Sequence, residues 1–175
     1  NKDGTVELAE GSTDIGGSRA AMAMQAAEVF GIAAEDVRPS VVDTESVGYT
    51  DVTGGSRTTY ATGYAVWKAA NSMVDELKNR AAILWDSDAD NGKFDDGWLS
   101  SKTDSELRIS FKSLSGKLDD TGGPVTSTGS VDLDGSGCAY GTYICDLEVD
   151  PETGKTDVVR YTSVQDVGTA IHPSY

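Results

Sequence analysis

Two glycine bends hold the residues best suited to chemistry: Gly16-Gly17-Ser18, and Gly54-Gly55-Ser56 followed by Arg57. Glycine lets a backbone approach a ligand closely. Each bend precedes a stretch of helical pattern. The start of a helix leaves amide N–H groups unpaired and carries partial positive charge, so an anion is stabilised there. Ser18 and Ser56 are residue types favoured at helix N-caps. Arg57 adds a guanidinium suited to a charge-assisted bond with phosphate. One such bend alone is an ordinary capped turn. Two, with serines placed alike, point to a site for an anionic ligand. Neither bend is a Walker motif or a G-x-G-x-x-G fingerprint, so the ligand is not named by these residues alone.

The rest of the chain does little to attract that anion. With 14 basic and 29 acidic residues, the formal charge is −15. Nucleic-acid phosphates and anionic membrane surfaces are repelled, which excludes both as partners. No apolar run is long enough to span a bilayer. The anion must therefore be held by backbone amides and one or two local arginines.

Other chemical candidates are weaker. Asp86-Ser87-Asp88-Ala89-Asp90-Asn91-Gly92 resembles the opening of a calcium loop. Its glycine comes one position late, and Gly97 stands where a bidentate glutamate is needed, so a solvated acidic turn is expected. His172 is the only histidine, and it is expected to be a strand-end residue with a structural hydrogen bond. No G-x-S-x-G elbow accompanies it. Cys138 and Cys145 form no C-x-x-C pair and are expected to be small buried thiols in a reduced compartment.

The elements that must position the bends follow from periodicity. Gly4 to Glu10 alternates and predicts a strand. A helix is predicted from about Arg19 to Phe30, stopped by Gly31; its AAMAMQAAEVF sequence is apolar almost all round and predicts burial. Glu35-Asp36-Val37 to Val42 predicts a second strand, and Asp43 to Gly55 a polar loop. A long helix follows Arg57 to about Ala82. Tyr60, Tyr64, Trp67, Met73, Val74 and Leu77 are expected to form its core-packed face. Phe94 and Trp98 flank Asp95-Asp96-Gly97 as a small hairpin. Leu107 to Phe111 adds a short strand, then a helical turn through Leu118. Cys138–Val149 and Thr156–Val167 flank Asp150-Pro151-Glu152-Thr153-Gly154, a turn signal with Pro early and Gly last. The fold class is α+β: a mixed sheet, two buried helices after Gly-rich loops, and a C-terminal β hairpin. Three regions are expected: strand–loop–helix units over 1–82, an acidic insert over 83–124, and the hairpin over 125–175.

Four of these stretches resemble one family. Glu10-Gly11-Ser12-Thr13-Asp14-Ile15-Gly16-Gly17 with its Ala-rich helix is similar to a loop and helix of the molybdenum hydroxylase large subunit, the xanthine dehydrogenase/aldehyde oxidase family. Thr53-Gly54-Gly55-Ser56-Arg57-Thr58-Thr59-Tyr60-Ala61-Thr62-Gly63 is similar to its next cofactor-contacting segment. Glu148–Gly154 and Val164–Pro173 resemble a hairpin and the segment after it. The four occur in the family's order and cover almost the whole chain. The resemblance implies an internal fragment of a molybdopterin-binding domain.

The implied cofactor is molybdenum–molybdopterin, often as the cytosine dinucleotide form. Gly16 and Gly17 would contact it from the first bend. Gly54, Gly55, Ser56, Arg57, Thr58 and Thr59 would line it from the second. Many relatives carry Gln where Gly17 stands. The implied reaction is hydroxylation of an aldehyde or N-heterocycle with oxygen from water. Electrons would leave to 2Fe-2S and FAD centres on partner subunits. The family's catalytic glutamate falls beyond Tyr175, so no residue here takes a catalytic role and no metal ligand is expected. A cytoplasmic location is expected. Outside this family, the alternatives are another phosphate- or nucleotide-binding protein and an acidic, calcium-stabilised extracellular module.

Overall fold

A computed structural model describes residues 1–55, 57–135 and 138–171. Ser56 and His172, both singled out above, lie outside the described residues. The chain divides into two compact units, Asn1–Asp134 and Gly135 onward. As expected, the fold is α+β. Among the described residues its strands are distributed over three small sheets.

The first unit opens with β1 (Val6–Glu10), α1 (Ser18–Phe30) and β2 (Val37–Val41). β1 and β2 pair in parallel, Val6 opposite Val37, with α1 as the crossover between them. The loop read as wholly polar contains a short helix, α2 (Thr44–Val47). The Asp43 carboxylate caps it by accepting from the amides of Glu45 and Ser46 at 3.0 and 2.9 Å. A π turn, Thr58–Thr62, leads into α3 (Gly63–Trp85). An antiparallel sheet follows, made of β3 (Gly92–Asp95), β4 (Trp98–Ser101) and β5 (Arg108–Ser110), and α4 (Phe111–Ser115) ends it.

The core of this unit lies between α1, α3 and the flanking strands. Met22, Ala23, Ala26, Ala27 and Phe30 of α1 are buried against Val66, Ala70, Val74, Leu77 and Ala81 of α3, with Leu99, Phe111 and Leu114 closing one end. The Phe30 and Phe111 rings sit 5.2 Å apart. α1 buries this one face and leaves Arg19, Ala20 and Glu28 exposed, although its composition suggested burial all round.

The aromatic face expected on α3 is a correction. Tyr60, Tyr64 and Trp67 are exposed at 47%, 41% and 47%, while Val66, Ala70, Val74 and Leu77 are buried. One residue along a helix is a turn of about 100°, so the two stripes lie side by side. Small Ala70 and Ala81 admit the alanines of α1 at close range, and the large rings are left on the outer edge. There Tyr64 and Trp67 stack at 5.6 Å and Lys68 lies over the Tyr64 ring.

The second unit is a hairpin of β6 (Tyr140–Val149) and β7 (Thr156–Asp166), as expected. Its turn is built by Asp150, whose carboxylate accepts from the Glu152 amide at 2.9 Å and the Thr153 hydroxyl at 2.7 Å. Gly154, at φ 71°, closes it by donating to the Asp150 carbonyl at 2.8 Å. The expected burial of the cysteines is not found, because Cys138 and Cys145 are both exposed free thiols. Among the described residues of its unit, the hairpin has no second layer to bury Cys145.

Gly31 ends α1 in the left-handed conformation, at φ 59°. A Cβ there would run into the backbone of Asp96 and Gly97 at the β3–β4 turn. Gly31→Ala should therefore destabilise the protein by about 2–4 kcal/mol, combining the left-handed penalty with overpacking against backbone. Equilibrium denaturation in urea measures this. A loss within a few tenths of a kcal/mol would mean that the two turns separate freely.

Candidate functional site

β1 delivers the chain into the first bend at Glu10. Alternate strand residues share a face, so Glu10 follows Val6 and Leu8 inward and is only 4% exposed. Its Oε2 accepts from the Ser12 amide at 2.7 Å. Its Oε1 is buried with no partner among the described residues. Burial pushes the Glu10 carboxyl pKa up.

The bend itself is organised by Asp14. One carboxylate oxygen accepts from the Gly16 amide (3.0 Å), the Ser18 amide (3.1 Å) and the Ser18 hydroxyl (2.9 Å). The other accepts from Arg19 Nε at 2.6 Å. The Arg19 bond, supported by these donors, holds the Asp14 carboxyl well below the usual carboxylate range. Ser18 is therefore not the cap its type suggested. It is the first residue of α1, Gly17 stands at the cap with no side-chain bond, and Asp14 supplies the negative end that the helix start attracts. Gly16 and Gly17 are exposed at φ 110° and 92°.

The second bend is different. The Gly54 carbonyl accepts from the Arg57 amide at 3.2 Å, and Gly55 turns the chain at φ 58°. Among the described residues, chain neighbours apart, no atom lies within 4 Å of the place a Cβ would occupy at Gly54, Gly55, Gly16 or Gly17, so all four present bare backbone. Arg57 Nη1 and Thr58 Oγ1 are buried without a hydrogen-bond partner among the described residues. Thr58 is 4% exposed. A buried guanidinium nitrogen and a buried hydroxyl on successive residues, both unspent, are costly unless an acceptor serves them. Thr59 is exposed, and its carbonyl accepts from Gln25 Nε2 at 3.3 Å.

The two bends are joined at their bases. Ser12 Oγ and Thr62 Oγ1 share a hydrogen bond of 2.6 Å, and the Thr50 hydroxyl donates to the Gly11 carbonyl at 3.0 Å. The structure thus brings both ends of the predicted site onto one framework but gives them opposite character. The first bend carries a carboxylate that occupies its own amides, and the second offers unpaired donors. Glu10, Ser12, Asp14, Gln25 and Thr62 were not among the predicted site residues. The period-two pattern of β1 could have exposed Glu10, and Asp14 upstream of a helix start is itself a capping signal. Nothing local marks Gln25, Ser12 or Thr62, whose partners are distant in sequence.

A family described as the molybdopterin cofactor-binding domain matches residues 1–175. The xanthine dehydrogenase molybdenum-binding subunit of Escherichia coli O157:H7 is 27% identical over 99% of this chain and 24% of that protein. The gamma subunit of the 6-hydroxypseudooxynicotine dehydrogenase complex of Paenarthrobacter nicotinovorans is 25% identical over 99% of this chain and 23% of its own length. The chain thus spans about a quarter of these relatives. Quinoline 2-oxidoreductase from Pseudomonas putida 86 shares the fold with a TM-score of 0.80 at 24% identity, over 99% of this chain and 23% of that one.

The buried Glu10 gives a pH-dependent signature. A carboxyl whose pKa is raised on folding favours the neutral form in the folded state. Its contribution to stability is present below the ordinary glutamate range and is lost as pH rises through the raised value. Glu10→Gln keeps a carbonyl for the Ser12 amide and removes the charge. The variant should melt a few degrees above the parent at neutral pH, and the gap should close on acidification. Thermal melts between about pH 4 and 8 test this. A gap that stays constant with pH would contradict a buried, titrating Glu10.

Proposed function

Because the chain belongs to the molybdopterin cofactor-binding domain family, we propose that its second bend holds the phosphate-bearing end of the molybdenum cofactor. The observation that carries this reading is the pair of buried, unpartnered donors, Arg57 Nη1 and Thr58 Oγ1, beside two glycines with no obstruction over them. Arg57 places a permanent cation against phosphate, the Thr58 hydroxyl donates a second bond, and Gly54 and Gly55 let the backbone close in. Ser56 and Thr59 complete the same segment.

Gly16 and Gly17 take a different share of the same ligand. The Asp14 carboxylate already accepts from the Gly16 amide and repels a phosphate, so this bend suits an uncharged part of the cofactor. Their lack of side chains serves close contact there, not charge neutralisation. In a chain of net charge −15, this division keeps the anion on Arg57, whose Nη1 has no partner among the described residues, and away from Arg19, which Asp14 engages.

The bound cofactor supplies oxygen-transfer and redox chemistry at molybdenum. The residues of this chain bind and orient it, and no acid–base role falls to them. We assign the chain to the molybdenum subunit of a hydroxylase acting on aldehydes or N-heterocycles. Its cofactor would be the cytosine dinucleotide form, and iron–sulfur and FAD subunits would carry the electrons away. No described helix is long and apolar enough to cross a membrane, and we place the complex in the cytoplasm.

Arg57→Ala in the full-length subunit tests the assignment. Loss of a hydrogen-bonded charge pair should lower cofactor retention on the order of tenfold or more. Molybdenum and released pterin per subunit, measured after gel filtration, are the readout. Unchanged occupancy would remove Arg57 from the phosphate site.

A further inference from the structure

α3 does not open as an α-helix. In the turn Thr58–Thr62 the Gly63 amide reaches back to the Thr58 carbonyl, a π-type bond, and also approaches the Tyr60 carbonyl. Such turns are short, rare and often found at functional sites. The local sequence, Thr-Thr-Tyr-Ala-Thr, is poor in strong helix formers but contains nothing that demands a π register. The register is held from outside the helix.

Three contacts hold it. In an α register the Gly63 amide would serve the Thr59 carbonyl. That carbonyl instead accepts from Gln25 Nε2, projecting from α1, at 3.3 Å. The Gln25 amide fills the space that a Cβ on residue 63 would need. Gly63 has an ordinary helical φ of −59°, so its missing side chain provides room and not conformational freedom. At the end of the turn, Thr62 is tied to Ser12 at 2.6 Å. α1 and the end of β1 therefore grip the turn together.

The register decides where the donors point. Removing one residue from a helical turn rotates what precedes it by about 100°. Arg57 and Thr58 sit at that point. We propose that Gln25, Gly63, Ser12 and Thr62 are positioning residues that keep the opening of α3 in its π register and so aim Arg57 and Thr58 at the ligand. This rests on reading the second bend as the cofactor's phosphate site.

Gly63→Ala in the full-length subunit, purified in its complex, separates positioning from mere support. The new methyl displaces only the end of the Gln25 side chain, and alanine favours the α register. The melting temperature should be kept or raised while cofactor retention, read as molybdenum and pterin per subunit, falls on the order of tenfold. Gln25→Leu should lose cofactor in the same way. Thr62→Val should also lose it, and Thr62→Ser, which keeps the hydroxyl, should restore it. If Gly63→Ala and Gln25→Leu lose cofactor only together with stability, the residues are structural and the inference fails. If both retain cofactor while Arg57→Ala loses it, the inference fails and the phosphate site stands. If Arg57→Ala also retains it, the phosphate site itself is wrong and this inference goes with it.

Discussion

The close approach of α1 to α3 through alanine is the constraint on which the site depends. Ala23, Ala26 and Ala27 of α1 and Ala70 and Ala81 of α3 belong to one buried core cluster. Small residues let two helices approach closely, and close packing leaves little slack. Because α1 leaves the first bend and α3 leaves the second, fixing the helices fixes the bends. It also brings Gln25 within reach of the Thr59 carbonyl, which a bulkier interface would prevent. Core packing and ligand geometry are thus one arrangement.

Electrostatics then divides the labour between the bends. Both look alike as strings of glycine and serine, yet Asp14 makes the first a closed system. Its carboxylate satisfies the amides of Gly16 and Ser18 and is itself satisfied by Arg19. The second bend has no such internal acceptor for Arg57 Nη1 or Thr58 Oγ1 among the described residues. A helix start neutralised by its own side chain gains nothing from an anion, whereas an unsatisfied one gains a full set of bonds. On the proposed reading, phosphate belongs at one bend only, although the repetition in the sequence drew attention to two.

What was legible in the sequence was what local chemistry decides. Strand alternation gave β1, Gly31 gave the end of α1, and the Pro–Gly turn gave the β6–β7 hairpin. Each depends on residues a few positions apart. What was not legible depends on partners far away. Which stripe of α3 is buried was decided by the alanines of α1, so Val66 and Ala70 displaced the larger Tyr64 and Trp67 from the core. Ser18 lost the capping role to Asp14 because a charged acceptor within reach outcompetes a hydroxyl. The π turn cannot be read from Thr58–Thr62, since a side chain 34 positions earlier holds it.

The hairpin shows the same dependence from the other side. Tyr143 and Tyr161 stack at 6.2 Å, and Arg160 pairs with Asp146 at 2.8 Å across the strands. Both are surface contacts worth about 1 kcal/mol or less each. A two-stranded ribbon is marginal in water even with such pairs. Tyr140, Ile144, Leu147, Val158, Tyr161 and Val164 are all more than half exposed, on both faces of the ribbon. Alternation that buries only one face would have placed polar residues on the other. Apolar residues on both faces are the pattern of a strand pair covered on both sides, so this ribbon is stable only where other surfaces cover both faces. The first unit is different, because its helices and strands bury an apolar core among themselves.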